Sequence, residues 1–501
     1  MELLQRIFYS AVGAASIFYF VVKLSQSHWK KRGILHAKPT FLWGNLKGVG
    51  KRRHISQALQ IIYEKFKETD APFIGFYALI KPMVMILKLD LIQRILDTDY
   101  NYFTKRGLYH NVDAEPLTGN LLQLDGQQWE ILRTQMDPVF EEKKIQGIFP
   151  TLLQVADEFR TSLLEVQKQA PIQNINTLVD SFNLDVISAL AFGVEHSNTL
   201  KYPQAEFRTM CRKYLQSRNL LKDYLSTSYP NLARLLQYRS IDEETAKFFM
   251  ETVQDSLDER IWSRQKFYDF LQLFVNKKRH RNSQIRFFEN QKVAAQAFSF
   301  VVAGLEASNS TLAFCLYELA LRPELQKKAR SEINDVLNKY NEILNVNSLN
   351  ELQFLEQVLF ETWRMHPPYT FLMRQTTKDY EVPNSIFMLK SGNSIVIPIA
   401  AIHNDPVIYP NPKLFDPDRF LPEAVKRRHP MSWLPFGYGP RNCIALQFVK
   451  MQALVGLTAL LRDFKFSPCS DTEIPVMYDN KRLLLSSKSD IKLLLERVAH
   501  I

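Results

Sequence analysis

The sequence predicts a mainly α-helical protein with small β-sheets, preceded by one N-terminal transmembrane helix. Helical periodicity dominates from about Thr134 to Arg364. Two apolar runs rich in β-forming residues, Phe73–Leu79 and Met83–Lys88, are separated by a Pro-containing tripeptide and predict a hairpin. A weaker strand signal returns at Ser394–Ile399. This order favours a small sheet region flanking a helical middle.

The transmembrane helix is predicted from Ile7 to Leu24, a stretch that is nearly all apolar or small. A helix of this length spans ~27 Å, which is enough to cross the hydrocarbon core of a bilayer. The basic cluster Lys30–Arg32 outweighs Arg6 on the other side, so the positive-inside rule places the rest of the chain in the cytosol.

A cleaved signal peptide is the alternative for this segment, because Ser25 and Ser27 resemble a small-residue cleavage site. The basic cluster just downstream disfavours translocation. We therefore expect an uncleaved membrane anchor at residues 1–29 and one globular domain at residues 30–501.

The four cysteines of the 501-residue chain, Cys211, Cys315, Cys443 and Cys469, show no CxxC spacing. This argues against a disulfide framework and against a zinc site, and it suits a reducing compartment.

The net charge of +11 is compatible with nucleic acid, anionic lipid or an acidic protein partner. The basic runs Lys51–Arg53, Lys277–Arg279 and Lys426–Arg428 are short and dispersed. We interpret the first two as solvated loops and expect no nucleic-acid partner.

The octapeptide FGYGPRNC, Phe436–Cys443, lies between a proline-containing loop and a strongly helical stretch. A cysteine at a helix start lies near free backbone N–H groups, which favour the thiolate. Gly437 and Gly439 permit a tight loop, and Arg441 adds a positive charge. Such a thiolate can be the axial ligand of a haem iron. The alternative is a buried, inert cysteine after a turn.

This loop, continued as FGYGPRNCIA, resembles the haem-binding loop of the cytochrome P450 family, FxxGxRxCxG. Phe436, Gly439, Arg441 and Cys443 match the pattern, whereas Ala445 stands in place of its last glycine. The resemblance begins at about residue 30. It implies the cytochrome P450 fold for residues 30–501, a haem b (iron protoporphyrin IX) and Cys443 as the iron ligand.

A second resemblance concerns the segment AFSFVVAGLEASNSTLAFCLYELALRPE, which is similar to the family's long helix over the distal face of the haem. The family carries Ala-Gly-x-Asp/Glu-Thr there, and this chain has Ala303, Gly304, Leu305, Glu306 and Ala307. Gly304 is expected to leave room for dioxygen. We expect Glu306 to be buried, where an unpaired charge is costly, and to act in a proton relay or a structural salt bridge.

The family threonine, whose hydroxyl organises the proton supply, is replaced by Ala307. Ser308 is adjacent, but one residue turns ~100° around a helix, so it cannot simply substitute. Ser308 is either helix filler or part of the relay. We therefore expect poor coupling, with much of the oxygen lost as hydrogen peroxide, unless Ser308, Glu306 or a hydroxyl of the substrate organises water. Ala307→Thr is expected to raise product per NADPH and to lower peroxide.

Glu361 and Arg364 form an ExxR motif that places both charges on one helix face. The resemblance implies a buried, structural ion network of these two residues with Arg419. It assigns no ligand role to His366 or His403, which we place in loops.

The resemblance also implies a set of haem-contacting side chains. Trp129 and Arg133 are four residues apart on a predicted helix and match the family's WxxxR. With Arg374 and Arg441, Arg133 would form charge-assisted pairs with the two haem propionates.

Several runs, among them HPMSWLPFGYGPRNCIALQFVKMQ and LYELALRPE, resemble insect microsomal members of family six, the xenobiotic-metabolising type. This implies a monooxygenase of the endoplasmic reticulum membrane that inserts one oxygen atom of O2 into a lipophilic molecule (a xenobiotic, an insecticide, or an endogenous hormone or lipid). Electrons would come from NADPH through a separate flavoprotein, NADPH–cytochrome P450 reductase, with cytochrome b5 as a further candidate partner. Lys426, Arg427, Arg428 and Lys450 are candidates for the docking face.

Family position also suggests four substrate-contact segments, Tyr109–Leu122, Leu215–Tyr229, Phe300–Ala307 and Tyr369–Met373. Many of their side chains are apolar or aromatic, which indicates a hydrophobic substrate.

Two other functions stay open because of Ala307. One is a haem-thiolate peroxide isomerase or dehydratase that needs no O2 activation. The other, to which Ala445 also points, is a weakly active haem protein that sequesters hydrophobic ligands.

Overall fold

The computed structural model describes residues 1–194, 198–262, 266–276 and 290–498, so the basic run at 277–279 lies outside it. The chain divides into two compact units. The first comprises Met1–Gly107, Thr370–Asp405 and His429–Asn442, and the second comprises Leu108–Tyr369, Pro406–Arg428 and Cys443–Ile501.

The α-helices of the described residues are, in chain order, α1 Glu2–Gln26, α2 His28–Lys31, α3 Ile55–Phe66, α4 Leu89–Gln93, α5 Gly126–Met136, α6 Glu142–Gln169, α7 Ile175–Ala191, α8 Glu206–Ser217, α9 Leu220–Ser228, α10 Pro230–Leu235, α11 Glu243–Trp262, α12 Phe270–Asn276, α13 Asn290–Phe300, α14 Glu306–Ala320, α15 Pro323–Lys339, α16 Val346–Glu351, α17 Gln353–Met365, α18 Ile399–His403, α19 Pro422–Lys426 and α20 Leu446–Asp463. The strands are β1 Phe73–Ala78, β2 Lys81–Ile86, β3 Ile172–Asn174, β4 Leu372–Gln375, β5 Tyr380–Glu381, β6 Met388–Leu389, β7 Ser394–Ile397, β8 Phe464–Pro468 and β9 Lys492–Arg497. The predicted fold class, mainly α with small sheets, is confirmed.

The first unit contains a four-stranded sheet in the order β1-β2-β7-β4. The predicted hairpin is confirmed, with Phe73 opposite Ile86 and Ala78 opposite Lys81. Its turn is Leu79–Ile80, so Pro82 lies inside β2 rather than in the turn as predicted. Pairing of β2 with β7 and of β7 with β4 carries Arg374 into the sheet opposite Ile395.

Helix α1 contains the predicted anchor. By length and apolar composition it is a candidate membrane span, and only 6% of the span is buried. Among the described residues the run Asn290–Ala320 passes the same test, but 61% of it is buried, so it is a core helix.

The chain after α1 packs into the first unit at Trp29, which is 1% exposed. Its indole N–H donates to the carbonyl of Phe76 at 3.1 Å, and its ring covers Gly75, where a Cβ would lie 2.4 Å from it. Trp29 is therefore part of the packing around β1. The border between residues 29 and 30 stays a prediction.

The second unit is built around the helical run Asn290–Ala320, in which a π-helical turn at Val301–Leu305 joins α13 to α14. Helix α14 contacts α7, α17 and α20. On α20, Gly456 leaves room for the Phe182 ring of α7, which lies 2.7 Å from where a Cβ would be. A three-stranded sheet in the order β3-β9-β8 completes the unit.

The ExxR network lies inside this unit. Arg364 donates to Glu361 from Nε at 2.6 Å and from Nη2 at 2.8 Å, and both side chains are fully buried. Arg419 Nε lies 3.5 Å from Glu361 Oε1. Arg364 also donates to the carbonyls of Pro412 and Leu414, so the network connects α17 to the loop before α19.

Candidate active site

The loop of the FGYGPRNC motif has a backbone that glycine makes possible. Gly437 and Gly439 have φ of +69° and +71°. A Cβ at Gly439 would lie 1.9 Å from the carbonyl oxygen of Leu96, so no larger residue fits without moving the chain. The glycines therefore hold a tight loop against the neighbouring segment of the first unit.

Arg441 ends a 3₁₀ turn in this loop and is 2% exposed. Its Nε donates to the carbonyl of Thr104 at 3.0 Å, and its own carbonyl accepts from Arg106 Nη2 at 3.0 Å. The first contact orients the guanidinium, and the second holds the backbone of Arg441 in place.

Arg374 is the other buried arginine of this unit that the motif analysis selected, and it is also 2% exposed. Its Nη1 donates to the Met373 carbonyl at 2.8 Å. The next residue, Gln375, donates its backbone N–H to the carbonyl of Lys105 at 2.8 Å. The segment 104–106 thus bonds to Arg441 directly and to Gln375, the residue after Arg374. Sequence reasoning missed it because all three hydrogen bonds are accepted by backbone carbonyls, which leave no side-chain signature.

Phe436 lies in the same loop, with its ring 6.3 Å from that of Trp433. His403 is the last residue of α18 and does not lie in a loop as predicted; it is buried, and its Nε2 accepts the backbone N–H of Leu434 at 2.9 Å, which supports the motif loop. His366, in the second unit, bonds through Nε2 to Glu318 at 2.7 Å and through Nδ1 to Tyr478 at 3.1 Å. Both histidines thus make structural hydrogen bonds.

The second unit begins its last segment at Cys443, which is partly buried and lies three residues before α20. Cys211 and Cys315 are fully buried, and burial raises the pKa of the Cys211 thiol well above its usual value and that of Cys315 to about 12. These two thiols are therefore protonated at neutral pH. Cys469 is partly buried too, but it follows β8 and does not precede a helix.

Trp129 and Arg133 lie on α5, as predicted. Trp129 is 3% exposed, and Arg133 is partly buried. Arg133 Nε donates to Asp137 Oδ1 at 2.7 Å one turn further along, so part of its hydrogen-bonding capacity is already used.

The predicted distal helix is open on one side at the π-helical turn. A Cβ placed on Gly304 would meet no atom within 4 Å, and Ala303, Gly304 and Ala307 are partly exposed. Ser308 is buried instead and lines a small pocket with Asn183, Thr311 and Gln452. π-Helical turns often occur at functional sites.

Glu306 is the first residue of α14 and forms a salt bridge, with Arg482 Nη1 2.8 Å from its Oε1. Arg482 also donates to the carbonyl of Leu215 at the end of α8. Burial raises the pKa of Glu306, while Arg482 and Arg218 oppose the rise. Its side chain is 27% exposed, more than expected. Of the two roles expected for Glu306, a proton relay or a structural salt bridge, the structure contains the salt bridge. No sequence motif identified Arg482 as its partner.

The described residues fit the haem that the resemblance implies. The first unit supplies two buried guanidinium groups suited to carboxylates. The second supplies a partly buried cysteine before a helix and a helix face with open space at Gly304. Each feature matches one requirement of the group: propionate donors, a sulfur ligand and room above the ring.

Comparisons of the sequence with known proteins show the family of this chain. A sequence model of the family described as Cytochrome P450 matches residues 36–495. The chain is 44% identical over 500 residues to "Probable cytochrome P450 6u1" of Drosophila melanogaster, which covers 99% of both chains. It is 39% identical to "Probable cytochrome P450 6a14", covering 94% of this chain and 96% of that one, and 37% identical to "Cytochrome P450 6a9", covering 97% and 98%, both also of Drosophila melanogaster.

The resemblance to insect family-six proteins is thus confirmed. The family match spans most of the chain and implies a haem cofactor. The chain belongs to the cytochrome P450 family and is a haem-dependent monooxygenase.

Proposed function

We propose that this protein is a monooxygenase of the endoplasmic reticulum membrane that inserts one oxygen atom of O2 into a lipophilic small molecule, with Cys443 as the axial ligand of its haem. The observation that carries the proposal is the loop ending at Cys443, whose glycine-dependent turn and buried Arg441 belong to the family's haem-binding motif. When bound, the haem would supply the activation of dioxygen.

The residues that would hold the haem act in different ways. Cys443 would bind the iron as thiolate, favoured by the start of α20. Arg374, Arg441 and Arg133 would pair with the propionates, and Trp129 would contribute its indole N–H. Phe436 matches the first position of the family's haem-binding pattern and is proposed to contact the haem.

On the distal side, the chain controls space and protons. Gly304 would leave room for dioxygen, because its open face holds no atom within 4 Å of a Cβ position. Glu306 holds Arg482 and through it the carbonyl of Leu215 near the end of α8, where one of the expected substrate-contact segments begins. Ser308 is buried beside Gln452, a position that favours a packing role over proton delivery.

The proposed substrate class rests on the composition of the expected contact segments. Phe300, Leu305, Phe371 and Leu372 in the expected contact segments are apolar. We expect a xenobiotic, an insecticide, or an endogenous hormone or lipid, because apolar walls with few polar groups select by shape and hydrophobicity.

The proposed electron donor is NADPH–cytochrome P450 reductase, with cytochrome b5 as a second candidate. Lys426 and Arg427 are exposed, and the ion pair of Lys426 with Glu423 at 3.2 Å lies on the surface, where such pairs contribute little and an acidic partner can replace Glu423. Lys450 pairs with Glu356 at 3.0 Å in a partly buried position, and the Arg428 guanidinium lies over the Tyr409 and Phe420 rings at 5.0 Å. Lys426 and Arg427 are therefore the better candidates of the four.

The test is reconstitution with reductase, NADPH and a panel of lipophilic substrates, measuring product and hydrogen peroxide together. NADPH-dependent product supports the proposal. Turnover of a lipid hydroperoxide without NADPH, and no product with it, would establish a peroxide isomerase or dehydratase instead. Tight ligand binding with neither reaction would establish a sequestering protein.

A further inference from the structure

The positive charge of this chain is concentrated at and directly after the end of the predicted membrane span. The whole chain has 63 Lys and Arg against 52 Asp and Glu, a net charge of +11. Residues 23–53, the basic segment, contain nine Lys and Arg and no Asp or Glu, so they supply +9 of that charge. The remainder of the chain is close to electrically neutral. A partner that recognises the positive charge would therefore meet the chain at this segment.

The loop that follows Thr40 lies beside the last turns of α1. Gln26 Nε2 donates to the carbonyl of Thr40 at 3.0 Å, and the centroid of the Phe41 ring lies 5.5 Å from that of Tyr19. Tyr19 comes five residues before Leu24, where the predicted span ends. Because the helical rise per residue is ~1.5 Å, Tyr19 lies ~8 Å inside that end. Phe41 is therefore level with the apolar part of α1, and a bilayer that holds α1 would also meet this loop.

The tip of this loop, the aromatic tip Phe41–Trp43, presents apolar rings at the surface of the first unit. Phe41 is 38% exposed and Trp43 is 51% exposed. The base of the loop is fixed, because Gly44 has a φ of +57° and a Cβ there would lie 2.3 Å from the carbonyl oxygen of Tyr77 in β1. Tight packing beneath the tip thus holds it outside the core. Tryptophan is enriched at the boundary between membrane and water, where its apolar ring and its N–H are both satisfied.

Exposed cations flank the aromatic tip on both sides, namely Lys38, Lys47 and Arg52. Backbone turns keep the chain after the tip compact, since the N–H of Leu46 donates to the carbonyl of Trp43 at 3.1 Å and the N–H of Arg52 donates to that of Gly48 at 2.8 Å. Clusters of Lys and Arg on the cytoplasmic side of a membrane span attract anionic lipid headgroups. Their ammonium and guanidinium groups suit the phosphate and carboxylate oxygens of such headgroups.

We propose that the basic segment and the aromatic tip form a docking face for the anionic phospholipid headgroups of the membrane that holds α1. The tip enters the interface beside α1, and the exposed cations pair with the headgroups around it. The occupant is lipid rather than an acidic protein, because the tip packs against Tyr19 inside the predicted span. The first unit is thereby attached to the membrane at a second place besides α1. This inference rests on the proposed membrane location and not on the oxygen-insertion reaction.

The test uses the full chain reconstituted in two kinds of vesicle, one of phosphatidylcholine alone and one with about 30% of the anionic lipid phosphatidylserine. Hydrogen exchange of the peptide covering residues 38–53 is measured in both. We expect exchange to be about three- to tenfold slower on the anionic vesicles, the population shift that one or two Lys or Arg at such a surface support. The difference should disappear at about 1 M NaCl, where the Debye length falls to about 3 Å.

The main variant is Lys47→Gln, Arg52→Gln, which removes two exposed cations of the basic segment. Its matched control is Lys143→Gln, Lys144→Gln, which removes the same charge from exposed positions on α6 that two glutamates directly precede. The main variant should lose most of the difference in exchange between the two kinds of vesicle. The control should retain that difference, because its cations already have acidic neighbours.

A further variant, Trp43→Phe, tests the aromatic tip. Bromine atoms on the acyl chains of phosphatidylcholine quench only tryptophans that lie in or at the bilayer. We expect Trp43→Phe to lower the share of the full chain's tryptophan emission that such vesicles quench, because Trp43 is half exposed beside the span. The thermal unfolding midpoint reports that each variant is folded.

Several results would overturn the inference. Equal exchange of residues 38–53 in wild type on neutral and anionic vesicles is the first, and it needs no variant. An equal loss in the main variant and its control would show a general attraction of a basic protein, and an unchanged quenched share in Trp43→Phe would place the tip outside the bilayer. Slower exchange with added NADPH–cytochrome P450 reductase, and none with anionic lipid, would identify an acidic protein as the occupant. If the full chain floats with neither kind of vesicle, the proposed membrane location itself fails, which is a distinguishable result.

Discussion

At the residue scale, the proposed chemistry depends first on which cysteine binds the haem iron. Cys443 and Cys469 are both partly buried, but only Cys443 precedes a helix closely. We predict that the reduced protein with CO shows the red-shifted Soret band of thiolate ligation and that Cys443→Ser abolishes it. Cys469→Ser, the matched control, should keep the band. A Cys443→Ser protein with an intact thiolate band would show that the ligand assignment is wrong.

A buried carboxylate in the second unit makes stability depend on pH. Burial raises the pKa of Glu318, but the hydrogen bond from His366 and the charges of His366 and Arg322 outweigh it, so the pKa lies below its ordinary value of 4.5. An acid whose pKa is depressed by folding stabilises the protein above its unfolded pKa. That contribution is lost as the pH falls through the lower folded value.

We predict that Glu318→Gln destabilises the protein at pH 7 by about 1–3 kcal/mol and makes stability less dependent on pH below 4.5. Urea midpoints measured from pH 7 down to 3.5 would show it. Glu324→Gln, which changes the same charge at an exposed position on α15, is the control and should stay within about 0.5 kcal/mol. Equal pH dependence in wild type and Glu318→Gln would contradict the prediction.

At the scale of elements, glycine is required at one position of the chain and is unfavourable at another. Gly439 sits at positive φ with a Cβ position 1.9 Å from the Leu96 carbonyl oxygen, whereas Gly147 lies within α6 with open space around it. Alanine is favoured over glycine in a helix by about 0.5–1 kcal/mol.

We therefore predict that Gly439→Ala displaces the loop and lowers the haem content of the purified protein, while Gly147→Ala keeps full haem content and raises the unfolding midpoint slightly. Pyridine haemochrome assay and thermal unfolding measure the two effects. Normal haem content in Gly439→Ala would mean that the loop can shift at little cost.

At the scale of the whole molecule, the N-terminal segment connects membrane binding to folding. Helix α1 is almost entirely exposed and apolar, yet Trp29, just beyond it, is buried against Gly75. A deletion that ends before Trp29 separates the two roles.

We predict that the full chain stays in microsomes through alkaline carbonate washing. Removal of residues 2–21, which keeps the buried Val22 and the Ser25–Ile80 hydrogen bond, should weaken this binding without loss of stability. Removal of residues 2–29 should also destabilise the protein, by about 3–5 kcal/mol, the cost of losing a buried tryptophan. A mature protein beginning near Trp29 would instead establish a cleaved signal and a luminal or secreted enzyme.

The features of the fold that depend on local sequence patterns could be predicted from the sequence. Alternation and periodicity placed the β1–β2 hairpin and the helical middle, because side-chain burial follows the period of each element. The i,i+3 spacing of Glu361 and Arg364 predicted an ion pair that the structure contains. The hairpin turn lies earlier in the chain than predicted. Pro82 is accommodated in β2 opposite Tyr77, because strand pairing there outweighs the turn preference of proline.

By itself, then, the sequence determined the fold class, the family and the candidate iron ligand, since each depends on residues that are close along the chain. Only the tertiary structure decided that Glu306 pairs with Arg482, that segment 104–106 holds Arg374 and Arg441, and that Tyr369 reaches Ala303. These partners are separated by 66 to more than 300 positions. A hydrogen bond or an ion pair acts over a few ångströms, and no local pattern encodes which distant segment folding brings within that range.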